Sequence, residues 1–207
     1  RSTLFPYTTL FRSRSGMPTM GSVDTATFTS LFCLNRGEHK VFPLTTEYAL
    51  VDLARDNIVK RMLENPDAEY LWFVDSDISV EKNTLNALIA DDKDIVSAVY
   101  PYRAEGDGIV GADLDYKIMT IKDLIVEDET GTPRPLLKEI RRCGMGCCLI
   151  KRKVLEDVLA TFDTCFERFP SIGEDYSFCE RAITLGYEVY IDGGIWCKHH
   201  GKKTYEV

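Results

Sequence analysis

Tyr70-Leu71-Trp72-Phe73-Val74 runs directly into Asp75-Ser76-Asp77, and the rest of the chain is best read outward from this stretch. Five consecutive apolar residues, three of them aromatic, have the length and composition of a strand covered on both faces. The run then stops at two carboxylates. In open α/β sheets, ligands bind outside the carboxyl ends of the strands, which is where Asp75 and Asp77 would lie. Carboxylates this close repel each other unless a cation or hydrogen bonds hold them. Hard divalent ions such as Mg²⁺ and Mn²⁺ prefer oxygen ligands and readily bridge substrate phosphates. An isolated D-x-D is equally a pair of turn residues capping the next helix; its position after a buried strand favours the metal.

Upstream, residues 24–34 have helical spacing at Ala26, Phe28, Leu31, Phe32 and Leu34. Val41-Phe42 reads as a short strand. Thr45 or Thr46 is expected to cap the next helix, with Glu47 in its first turn. That helix carries Tyr48, Val51, Ala54, Ile58 and Met62 on one face and ends at Asn65-Pro66. Downstream come a helix with Leu85, Leu88 and Ile89, a strand over 95–100, and a polar loop over 101–115. Strands over 117–126 and 136–142 follow, then a strand through Ile150 and a helix over 153–160. Last come a helix over 174–185 closed by Gly186 and a strand over 188–191. The alternation predicts an α/β domain with a mainly parallel central sheet flanked by helices.

The formal net charge of −8 disfavours nucleic acid as a partner, because phosphate backbones demand surplus Lys and Arg. A nucleotide remains compatible, since one metal ion can neutralise its phosphates. No apolar run is long enough to span a bilayer, and no signal-peptide pattern follows the first Met. Seven cysteines, with Cys147 and Cys148 adjacent, suggest reduced thiols in a cytoplasmic protein.

Thr3-Leu4-Phe5 recurs as Thr9-Leu10-Phe11 without turn or capping logic, and residues 3–13 (TLFPYTTLFRS) resemble the translation of a short-read sequencing adapter. Residues 1–15 are therefore read as an artefactual or disordered leader before a single domain over 16–207. On this reading the first strand is truncated, with Met17-Pro18-Thr19 as its tail.

Taken in order, FVDSD (73–77) after a helix containing ARDN (54–57), GMGCCLIKRKVLE (144–156), GEDYSFCERAITLGY (173–187) and KHHG (198–201) resemble glycosyltransferases of the GT-A fold, particularly the bacterial and phage family-two-like kind. The resemblance covers Met17 to the C-terminus. It implies a nucleotide-sugar donor, a Mn²⁺ or Mg²⁺ ion on the D-x-D, and a carbohydrate, lipid-linked or other hydroxyl acceptor. Asp77 resembles the carboxylate that ligates the metal, and Asp75 the one that reaches ribose or metal, with Ser76 beside the donor. His199 resembles a late histidine that joins the metal, with His200 as the alternative on the opposite face of an extended segment. In the resembling enzymes an acidic pair placed as Glu174-Asp175 faces the acceptor. Asp175 is the implied general base of inverting transfer, with Glu174 its neighbour on acceptor or donor sugar.

The resemblance also points Arg55, Asn57 and Thr19 toward the donor. Tyr102 and Arg103 would line the sugar or acceptor pocket, and Gly144 and Gly146 would allow close backbone approach there. Three other readings compete with sugar transfer. Cys143, Cys147, Cys197 and His199 would make a zinc site if they converged. Nucleotidyl transfer would call for a basic or glycine-rich triphosphate loop, which MPTMGS (17–22) does not supply. A non-catalytic sugar- or partner-binding module is the third.

Overall fold

In the computed structural model, which describes residues 12–47, 50–103 and 107–201, Tyr70–Val74 forms a strand (β3) buried at every position. Its side chains divide between two cores, as strand alternation requires. Leu71 and Phe73 join a cluster with Ile58, Val59, Met62, Val154, Leu155 and Phe178. Tyr70, Trp72 and Val74 point to the opposite face, with Leu85, Leu88 and Ile195. Burial of Trp72 and Phe73, both fully enclosed, contributes about 2–3 kcal/mol each.

Around β3 lies a seven-stranded sheet. β1 (Arg12–Thr19) and β2 (Lys40–Glu47) lie to one side. To the other side lie β12 (Cys147–Lys151), β5 (Ile95–Val99), β13 (Val189–Trp196) and β10 (Leu137–Ile140), in that order. Helices α2 (Val51–Leu63), α4 (Arg152–Phe162) and α5 (Glu174–Thr184) supply residues to the first core. α3 (Thr84–Ala90) covers the other face, where Leu31 of α1 (Thr25–Phe32) also packs.

The sheet is mixed, which corrects the expectation of a mainly parallel one. β1 runs parallel to β2 and β3, and β5 to β13. β12 is antiparallel to both β3 and β5, as β10 is to β13. A strand buried on both faces has the same continuous apolar pattern in either direction, so Cys147-Cys148-Leu149-Ile150 does not reveal its orientation.

Several element boundaries differ from the sequence reading. β1 takes in Arg12 to Ser15 as well as the expected 17–19, and pairs residue for residue along β2. β2 extends well beyond Val41-Phe42 and includes Pro43, which is tolerated because β2 is an edge strand. Thr45, Thr46 and Glu47 therefore belong to that strand and do not cap α2, whose N-cap is Leu50. Tyr48 lies outside the described residues.

The 101–115 loop contains β6 (Gly108–Ala112), which pairs with β7 (Ile118–Thr120) and β11 (Arg142–Cys143) in a small separate sheet. The expected strand over 117–126 is β7, a 3-10 turn (Ile121–Leu124) and β8 (Ile125–Glu127), the last paired with β9 (Pro133–Pro135). Thr120 and Asp123 form a capping box that turns the chain there. At the end of α5, Gly186 adopts φ +90°, a left-handed conformation suited to glycine after a helix. Among the described residues, no helix is long and apolar enough to cross a membrane.

Candidate active site

From β1 the chain passes through α1 to β2 on one side, then through α2 to β3 on the other. This reversal of strand order opens a crevice at the carboxyl ends of β1 and β3, where α/β folds bind ligands. The crevice is a cavity of about 190 Å³ lined by Pro18, Thr19, Met20, Val51, Ala54, Asp75, Ser76 and Asp77. Thr19 is buried, and its hydroxyl closes the turn after β1 by donating to the Ser22 carbonyl (2.6 Å).

The acidic turn after β3 is tied down through its backbone. The Asp75 amide donates to the Gly146 carbonyl (3.0 Å) and the Ile78 amide to the Asp75 carbonyl (3.1 Å). The Asp24 amide donates to the Ser76 carbonyl, and the His200 amide to the Asp77 carbonyl (both 2.8 Å). Both carboxylates are thus presented from a braced turn, with their side chains about 30% exposed.

Each carboxylate has its own arginine. The buried Arg55 of α2 donates through Nη2 to both oxygens of Asp75 (3.0 and 3.3 Å) and through Nε to Glu174 (3.5 Å). Burial works against the Arg55 charge, but Asp75, Asp175 and Glu174 outweigh it and raise its pKa. Arg168 lies 3.8 Å from the other oxygen of Glu174. On the opposite side, Arg103 forms an ion pair with Asp77.

The two histidines are placed differently by β14 (Lys198–His199), which pairs antiparallel with β4 (Ile78–Ser79) just after the acidic turn. His199 Nε2 lies 3.7 Å from Asp77 Oδ1, whereas His200 Nε2 bonds to Ser79 Oγ (2.8 Å). Arg103 Nε donates to His199 Nε2 (2.8 Å), so the proton sits on Nδ1 and is donated to the Pro101 carbonyl (2.9 Å). Burial, together with Arg103, lowers the His199 pKa and favours the neutral ring.

Asp175 sits in the first turn of α5, half-buried, with its Oδ1 accepting from the Tyr176 amide (2.8 Å). Burial first, and Glu174 second, push its pKa up to about 6. Tyr176 shares a hydrogen bond with Tyr102 (2.8 Å), and Arg142 stacks over the Tyr176 ring at 5.6 Å. These groups form an aromatic wall beside the acid pair.

Three residues expected at the site are used differently. Asn57 is exposed, while its neighbours Arg55, Asp56 and Ile58 on α2 are buried, and it is not among the residues that line the crevice. Gly144 and Gly146 make room for the buried Tyr100 ring, whose hydroxyl accepts from the Gly146 amide (2.8 Å), so what their backbone approaches is a tyrosine of the protein itself. A Cβ on Gly146 would lie 2.8 Å from Tyr100 Cζ. Gly146→Ala is expected to lower stability by about 1–3 kcal/mol in urea denaturation, because the enclosed ring has to move.

The four residues of the zinc alternative do not converge. Cys143 packs in the first core, 3.9 Å from the Cys179 sulfur, while Cys147 and Cys197 pack in the second, across the sheet. Among the described residues, no group of three or more His, Cys, Asp and Glu side chains is arranged to hold a metal. At the acidic turn, Asp77 and His199 lie side by side. Their 3.7 Å separation falls between the cis and trans ligand distances of an ion with bonds of about 2.1 Å, and the His199 nitrogen facing Asp77 is the unprotonated one. The oxygen and nitrogen donors suit Mn²⁺ or Mg²⁺, but their spacing matches neither octahedral position, so holding the ion together requires a small shift of one side chain as well as the withdrawal of Arg103.

The sequence reading missed Tyr176 and Arg168, and within the segment Tyr100 to Arg103 it favoured Tyr102 and Arg103 over Tyr100. For Tyr100 there was no local signal, since the glycines that make room for it, Gly144 and Gly146, are more than forty residues away in sequence. Tyr176 and Arg168 carried none.

The fold and the crevice define a mixed α/β protein whose polar groups gather at a topological switch point. The chain is similar in fold to the crystal structure of A197 from STIV, with a TM-score of 0.63, 20% identity, and coverage of 95% of this chain and 94% of that one. At this identity the likeness is one of fold alone. No family model and no curated protein matches the sequence.

Proposed function

We propose that this protein transfers a sugar from a nucleoside-diphosphate sugar to an acceptor hydroxyl, with a divalent ion held by Asp77 and His199. The observation that carries this reading is the gathering of Asp75, Asp77, His199, Arg55, Glu174 and Asp175 around the carboxyl end of β3, beside the β1–β3 crevice. On this reading the chain from β1 onward forms a single domain of the GT-A type, and the crevice takes the nucleoside end of the donor. Asp75, neutralised by Arg55, faces the ribose or the ion.

When bound, Mn²⁺ or Mg²⁺ would stabilise the charge that develops on the departing diphosphate. The protein's own task is to place and deprotonate the acceptor. Asp175 takes the acceptor hydroxyl proton as the new bond forms at the anomeric carbon. The bond from that carbon to the diphosphate oxygen breaks, and its electron pair leaves with the nucleoside diphosphate. One displacement on the face opposite the leaving group inverts the anomeric centre. Glu174, held by Arg55, positions the acid pair. Tyr102 and Tyr176 offer aromatic surface and hydroxyls to a carbohydrate or lipid-linked acceptor.

The test is calorimetric binding of UDP and GDP with and without Mn²⁺. Binding that requires Mn²⁺ is expected, and Asp77→Asn should weaken it by at least the roughly 10–100-fold typical of disturbed metal sites. If the wild-type protein binds no nucleoside diphosphate in either condition, the transferase reading falls.

A further inference from the structure

We propose that Arg103 is a built-in counter-cation, occupying the Asp77–His199 pair in the absence of a divalent ion and vacating it when the ion binds; this rests on the metal-dependent reading above. The two arginines of the acidic turn are built for different tasks. Arg55 comes from the middle of α2, its side chain is 4% exposed, and it is held by Asp75 and Glu174 together. It is a permanent partner.

Arg103 comes from the segment after β5, and its side chain is 47% exposed. It engages both proposed metal ligands simultaneously, pairing with the Asp77 carboxylate and donating through Nε to His199 Nε2. The lone pair that would bind a metal is therefore the one its guanidinium covers. Two nearby contacts hold the histidine for either occupant: Pro101, two residues before Arg103, accepts the Nδ1 proton, and the Tyr100 ring meets the imidazole edge-on at 5.9 Å.

A solvent-exposed ion pair is weak and screened, so a divalent ion can displace it. Without Arg103, Asp77 would face Asp75 across a short turn with only one of the two charges compensated. The consequence is a competition. The apparent affinity for a metal is reduced by the fraction of molecules in which Arg103 occupies the ligands.

The experiment titrates Mn²⁺ alone, following free Mn²⁺ by electron paramagnetic resonance, into the wild-type protein and four variants. Arg103→Gln is expected to bind Mn²⁺ about three- to tenfold more tightly than wild type. Arg103→Lys, a point charge without the two-pronged fork, should fall between them. Arg168→Gln removes a cation that touches Glu174 and neither metal ligand, and should leave the affinity within about twofold of wild type. Asp77→Asn should abolish the binding.

If Arg103→Gln binds Mn²⁺ no more tightly than wild type, or if Arg168→Gln tightens it equally, the counter-cation role is overturned while the metal site stands. If no variant binds Mn²⁺, even with UDP or GDP present, the metal-dependent reading falls and takes this role with it. Because Arg103 is exposed, unchanged thermal unfolding of Arg103→Gln is expected alongside.

Discussion

Arg55→Leu is expected to cost about 3–5 kcal/mol of folding stability at neutral pH, a large part of the margin of a typical domain. The guanidinium is buried between Asp75 and Glu174 and lies 5.3 Å from the centre of the Phe73 ring. Leucine replaces the packing of the stem but none of the charge. Asp75, Glu174 and Asp175 are then left close together without the cation that all three share. Removing one partner of a buried pair is costly because the remaining charge stays desolvated and unpaired. Urea denaturation would measure the loss. Asp75→Asn in the Arg55→Leu background should recover part of it by removing one stranded charge, which simple loss of packing would not allow.

Asp175→Asn should move activity and stability in opposite directions. If Asp175 is the base, turnover falls by about 10²–10⁴-fold, because amide nitrogen and oxygen accept a proton poorly at neutral pH. In the wild type, turnover should also fall as pH drops below about 6, where the carboxylate becomes protonated. The stability effect has the opposite sign. The folded-state pKa of about 6 lies above the ordinary carboxylate value of 3.8, so ionised Asp175 destabilises the fold above about pH 6. That penalty diminishes as pH falls toward 3.8. At pH 7.5 the asparagine variant should therefore be more stable by about 1–3 kcal/mol, with little gain near pH 4. The Tyr176 amide keeps its acceptor, because the asparagine side-chain oxygen can replace Oδ1. A residue that weakens the fold in its working state has the character of a functional group.

How much of this was legible before folding can be judged residue by residue. Tyr70–Val74 emerges with the same bounds, and α5 begins at Glu174 as expected. Both readings rest on local signals: an unbroken apolar run, and acidic residues in a helix's first turn. The direction of β12 was not legible, since its apolar run is the same whichever way it runs. Nor was the role of Gly144 and Gly146, because their partner Tyr100 is more than forty residues away in sequence and meets them only across the sheet. Asn57 shows the limit of proximity in sequence. It is two residues from the buried Arg55, yet it is exposed, because two steps along a helix turn a side chain by about 200°.

The sequence by itself determined that Asp75 and Asp77 end a buried strand, because hydrophobic periodicity is a local property of the chain. It also brought Glu174, Asp175 and His199 into consideration, through an order of motifs that resembles that of a known family. Only the tertiary structure decided which groups meet. It assigns Arg55 to Asp75 and Arg103 to Asp77, and turns His199 toward the acidic turn while His200 goes to Ser79. Such pairings span twenty to more than a hundred residues of chain. They depend on strand order, on the β4–β14 register and on helix phase, none of which a local pattern records.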